Sequence, residues 1–147
     1  MPPLPSRMTL DQRRRFWEPL VQAGLTKAPT PFYLFSTEPV SHALEGLREL
    51  NLRIQTPIRH WLSCKTQPLR PLLAWWRKRQ GSIEVVSEFE FQAALAEGFP
   101  PDQILINGPA KHRWLPKHAI RGLRVNFDSQ AEIDTLLPLA KKLQWRS

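Results

Sequence analysis

The sequence predicts an α/β fold built on a parallel sheet. Three observations point there: five short apolar runs of strand-like composition, an amphipathic helical pattern after each run, and helix-start and helix-stop residues at the junctions. A chain of 147 residues, 41% hydrophobic and 23% charged, is large enough for one packed domain. Two architectures accommodate five βα units. One is a partial (β/α)8 TIM-type barrel, a piece of a fold of about 250 residues. The other is a complete five-stranded doubly wound sheet. Periodicity does not separate them, and in both the chemistry belongs at the carboxyl ends of the strands.

The elements follow in order. Residues 1–8, three of them proline, are expected to be a disordered lead. A helix is expected over residues 9–27: Thr9 and Gln12 form a capping box, Leu10, Trp17, Leu20 and Val21 mark an apolar face, and Gly24 marks its stop. The main domain, residues 28–147, opens on "FYLF" (Phe32 to Phe35), a strand whose preceding Pro31 suits a strand's beginning. Val40, Ala43, Leu44, Leu47 and Leu50 recur at helical spacing. Ile58 to Cys64 is the second strand. Pro68 then opens a helix with Leu69, Leu72, Leu73 and Trp76 on its buried side and Gly81 at its end. "SIEVV" is the third strand, followed by a helix that Ser87 and Glu90 cap and Gly98 closes. "ILING" (Ile104 to Gly108) is the fourth. Pro116 then limits "KHRWLPKHAI" to a short helix at best. "LRVNF" is the fifth strand, before a last helix capped by Ser129 and Glu132 and kinked or shortened by Pro138.

Composition excludes several function classes. No apolar run reaches the ~18 residues of a membrane span, so no membrane partner is expected. The single cysteine, Cys64, rules out an internal disulfide and fits a reducing cytoplasm. Four histidines and one cysteine without metal-ligand spacing give no zinc site. A net charge of +8 raises nucleic acid as a partner. However, the two clusters Arg13-Arg14-Arg15 and Arg77-Lys78-Arg79 fall within predicted helices, where a solvated outer face accounts for them. Trp76, beside the second cluster, belongs to an apolar stripe. Nucleic acid is therefore not the expected partner, although a basic α/β module binding nucleic acid or protein stays open as an alternative.

The candidate site centres on Lys65, which ends the apolar run "IRHWLSC". A lysine amine attacks a carbonyl only when neutral, and apolar walls at the mouth of a sheet disfavour its charge. Cys64, its neighbour, points the other way and is not expected to be a nucleophile. His60 shares a face with Leu62 and Cys64 and is expected at the core or its rim. Ser87, Glu90, Ser129 and Glu132 are accounted for as helix caps, Asn107 as a turn residue and Lys111 as a surface charge.

The segments "TPFYLF" (Thr30 and Pro31 at its head), "LSCKTQP", "EVVSEFEFQAALAEGFPPDQILING" and "NFDSQAEI" occur in a fixed order. Together they resemble the N-terminal barrel half of the pyridoxal-phosphate-dependent decarboxylases (diaminopimelate, ornithine and arginine decarboxylases), which share the alanine-racemase-like barrel. The resemblance spans about residues 28 to 143 and includes Gly108, Lys111, Asp128, Ser129 and Glu132. It implies that Lys65 forms the internal aldimine with pyridoxal 5'-phosphate, and that Glu84 stands near the cofactor where the family has an aspartate. Thr66-Gln67-Pro68 departs from the family's Ala-Asn. It further implies an amino-acid substrate and a chain that is an N-terminal fragment or subunit of a lyase. The later barrel strands and the C-terminal β-domain would come from a companion polypeptide or a homodimer, and the chain would be inactive without them. "KTQP" also looks like the lysine segment of the non-catalytic barrel proteins that bind pyridoxal phosphate.

Overall fold

A computed structural model of the protein describes residues 9–29, 31–54 and 56–146. The expected N-terminal lead, residues 1–8, and Thr30 lie outside the described residues. The chain divides into two compact units, Met1–Ile58 and Arg59–Ser147.

In the first unit, helix α1 (Leu10–Leu25) begins at the expected capping box. The Thr9 hydroxyl accepts from the Gln12 backbone, and the Gln12 side chain accepts from the Thr9 backbone. Helix α2 spans Glu38–Ile54. Neither helix fully buries a residue, and Leu10, Val21, Leu50 and Leu52 are exposed. The run 32–35, expected as the first strand, forms none. A strand needs a neighbour to satisfy its backbone groups, and this unit has no other strand among its described residues. Tyr33 is fully exposed.

The second unit carries the sheet: β1 (Trp61–Ser63), β2 (Ser82–Val85), β3 (Ile104–Ile106) and β4 (Arg124–Val125). Among the described residues four strands form where five were expected. All pairs are parallel, and the spatial order is the sequence order, β1-β2-β3-β4. A doubly wound sheet reverses its strand order at a switch point, and this one does not. Crossovers that always step the same way with the usual right hand deliver their helices to one face. Burial agrees. The rows Leu62–Ile83–Ile104 and Val85–Ile106–Val125 lie on one face, and all of these residues except half-buried Leu62 are fully buried. On the opposite face the row Ser63–Glu84–Leu105–Arg124 crosses all four strands and is only half-buried throughout.

The covering layer consists of α3 (Arg70–Lys78), α4 (Glu88–Ala96) and α5 (Gln130–Leu143). They contribute Leu72, Leu73 and Trp76, then Phe91 and Ala94, then Leu136, Ala140 and Leu143 to the core. Helix α3 starts two residues later than Pro68 suggested, with Pro71 in its first turn and Leu69 exposed. Between β3 and β4 the chain makes only two 3-10 turns, Lys111–Arg113 and Leu115–His118, as Pro116 dictates. Pro138 does not shorten α5. The carbonyl it leaves without a donor belongs to Asp134, which is exposed and can bond to water. Basic residues close α3 (Arg77 and Lys78) and α5 (Lys141 and Lys142), where the macrodipole favours them. No helix among the described residues is long and apolar enough to cross a membrane.

Candidate functional site

The carboxyl ends of β1, β2 and β3 bring Lys65, Glu84 and Asn107 to one end of the sheet. β1 stops at Ser63 because the chain turns at once. Cys64–Thr66 form a 3-10 turn, closed by Gln67 N donating to Cys64 O at 3.1 Å and by the Thr66 hydroxyl donating to Ser63 O at 2.8 Å. Lys65 sits on that turn and is exposed. The apolar walls expected around its amine are not found among the described residues, since Lys65 itself is exposed and the sheet face carrying Glu84 is only half-buried. Glu84 lies on that half-buried face and accepts a hydrogen bond from the Asn107 side-chain amide at 3.2 Å. Asn107, expected only as a turn residue, thus couples the tips of β2 and β3.

Cys64 points into the core and is fully buried. Burial first, and then the carboxylates of Glu90 and Glu84, push its thiol up to about 11. The expectation that it is no nucleophile follows from this environment. In the native protein, alkylation by iodoacetamide at neutral pH is expected to be far slower than in denaturant, as followed by intact mass. Equal rates in both would contradict the placement of Cys64.

Three caps were read from sequence, and the second and third do more than cap. The Ser87 and Ser129 hydroxyls accept from the backbones of Glu90 and Glu132. The glutamates, though, reach past the cap and accept from the preceding residue: Glu90 from Val86 N at 2.8 Å and Glu132 from Asp128 N at 3.0 Å. Each one ties the end of a strand to the start of the helix that follows.

Lys111, expected as a surface charge, is completely buried. Its ammonium pairs with Glu132 at 2.8 Å and Asp128 at 3.0 Å and donates to Gly108 O, while its backbone N donates to Glu132 at 3.0 Å. Burial alone would raise Glu132. The hydrogen bonds from Asp128 N and Lys111, together with the ammonium charge, outweigh it and hold this carboxyl below the ordinary glutamate range. A sequence signal for this was present. Glu132 lies on the same stripe of α5 as buried Leu136, Ala140 and Leu143, and a carboxylate on a buried stripe requires a cation.

No cluster of three or more metal-ligating side chains occurs among the described residues. Comparison with protein-family models and with curated proteins finds no match to the chain.

Proposed function

We propose that this chain is part of a pyridoxal-phosphate-dependent enzyme of the amino-acid decarboxylase type, with Lys65 as the cofactor-bearing amine and Glu84 next to it. The observation that carries this reading is the unreversed order β1-β2-β3-β4, with α3, α4 and α5 packed on one face and the carboxyl ends of the strands leading to Lys65, Glu84 and Asn107. That is the pattern of a barrel wall, whose inner face holds the site at the carboxyl ends of its strands.

The residues fit attachment of the cofactor. The Lys65 side chain is accessible, and no ion pair engages it among the described residues. Once bound, pyridoxal phosphate supplies an electron sink for the carbanion left as carbon dioxide departs from an amino acid. Glu84, steadied by Asn107, presents a fixed negative charge on the same face. Catalysis also needs a dry site. On this reading further barrel strands, from a companion polypeptide or a second copy, complete the half-buried face, and the chain is inactive without them. A cytoplasmic setting goes with this reading, since Cys64 stays reduced there.

The test is reductive trapping. The purified chain is mixed with pyridoxal phosphate, reduced with borohydride and mapped by mass spectrometry. Label is expected mainly at Lys65 and should vanish from that peptide in Lys65→Ala. Label spread evenly over the exposed lysines would refute the assignment. The exposure of Lys65 favours one second reading, a barrel protein that binds the cofactor without decarboxylating. Carbon dioxide release from the chain reconstituted with its covering half separates the two.

A further inference from the structure

We propose that the amino-terminal end of the parallel sheet, opposite the candidate site, is a binding surface for single-stranded nucleic acid. The inference is independent of the cofactor assignment and rests on side chains that the topology gathers from separate parts of the sequence.

In a parallel βα array, strand starts and helix ends share one rim. Here that rim collects the basic ends of α3 and α5. The helix macrodipole accounts for those residues. It extends to Arg79, the C-cap of α3, but not to the other arginines at the strand starts. Arg59 precedes β1, Arg79 precedes β2, Arg121 leads into β4, Arg124 is the first residue of β4, and Arg146 is bridged in parallel to Arg124. The rim also carries two acidic residues, Glu97 at the C-cap of α4 and Asp102 just before β3, and Glu97 is paired with Arg70 at 2.6 Å.

Two of the arginines are organised around an aromatic ring. The guanidinium groups of Arg59 and Arg124 lie 5.6 Å and 5.9 Å from the ring of half-buried Trp61. Both also donate to one acceptor, the Asp102 carbonyl, at 3.2 Å each. Two like charges gathered at a single carbonyl raise the local positive potential beside the Trp61 ring. Arg79 stacks on half-buried Trp75 at 3.8 Å, beside exposed Arg77 and Lys78. Guanidinium groups paired with half-exposed indole rings suit a ligand that alternates phosphates with flat bases, and bases stack on such rings with little sequence preference. A lipid surface fits less well. The exposed large apolar residues of this unit are Leu69, Phe89 and Leu137. Leu69 and Phe89 stand at helix starts, at the opposite end.

The test is fluorescence anisotropy of a labelled oligothymidylate titrated with the full chain over a range of salt. Binding is expected, with log K falling linearly against log salt at about 0.7 per phosphate neutralised. Arg59→Ala with Arg124→Ala should weaken binding about tenfold or more and flatten the salt slope by about 1 or more. Because that pair also bonds to the backbone, Arg79→Glu at an exposed side chain provides a second arm and should weaken binding comparably. Lys65→Ala should bind as the wild type does, whatever becomes of the cofactor assignment. Salt-insensitive binding, wild-type affinity in both arginine variants, or equal affinity for polyglutamate would overturn the proposal.

Discussion

Alanine at position 111 is expected to lower the folding stability of the chain by about 3–5 kcal/mol, the cost of leaving one member of a buried ion pair without its partner. The Lys111 side chain is wholly enclosed, and Glu132 is 1% exposed. Removing the ammonium strands a carboxylate in the core and releases the Gly108 carbonyl as well. Urea denaturation should show a lower midpoint with an unchanged slope, and a loss under about 1 kcal/mol would mean that water reaches the site. Replacing both partners by apolar residues of similar size should recover only part of the loss. Glu132 also accepts from two backbone N–H groups, of Lys111 and Asp128, and an apolar side chain leaves both unpaired. The pH dependence has a definite sign. The Glu132 carboxyl is held below its ordinary value of 4.5 in the folded protein, so its contribution is complete above that value. It is lost as acid takes the pH below 4.5 and through the folded value. Glu132→Gln should remove that part of the acid sensitivity and destabilise the chain at neutral pH.

Local chemistry was what the sequence conveyed best. Thr9, Ser87 and Ser129 start helices because their hydroxyls offer an acceptor to a backbone donor three residues on, a relation contained in four letters. Pro116 restricted the β3–β4 connection for an equally local reason. The errors arose where a neighbour decides the outcome. "FYLF" has strand composition, yet composition cannot provide the second strand that a ladder requires. Lys111 looked like a surface charge because its partners stand 17 and 21 positions away.

The candidate site divides along the same line. Lys65 was located at a strand end from pattern alone, and it lies at the end of β1. Its surroundings were not legible, because the turn at Cys64–Thr66 and the half-buried face depend on which strands flank β1. The Glu84–Asn107 hydrogen bond joins residues 23 positions apart. It exists because β2 and β3 pair in the register Val85↔Ile106, which no window of sequence displays. The basic rim is the extreme case. Arg59, Arg79, Arg124 and Arg146 have no sequence relation to one another, and only parallel order brings them to one end.

The register that creates both the site face and the rim depends on the α3–β2 junction, and there Gly81→Ala is expected to cost about 2–4 kcal/mol. Gln80 takes a left-handed conformation, φ 56°, which reverses the chain, and Gly81 N then donates to the Trp76 carbonyl at 3.1 Å. The Trp76 indole lies directly over Gly81, so a methyl group there would fall well inside contact distance of the ring. The ring has no room to retreat. It is 7% exposed, and its Nε1 donates to Ser82 O, the first residue of β2, at 2.7 Å. Alanine must therefore displace the indole, with an overpacking cost of about 1–3 kcal/mol and a lost hydrogen bond worth about 0.5–1.5 kcal/mol. Two measurements separate this mechanism from a simple loss of glycine flexibility. Thermal or urea denaturation of Gly81→Ala gives the size of the effect. Combining it with Trp76→Leu, which clears the ring, should give a double variant more stable than the sum of the two single losses predicts. Additive losses would mean that the indole does not press on position 81. The alignment of β2 between β1 and β3, and with it the meeting of Glu84 and Asn107, would then have to be set elsewhere.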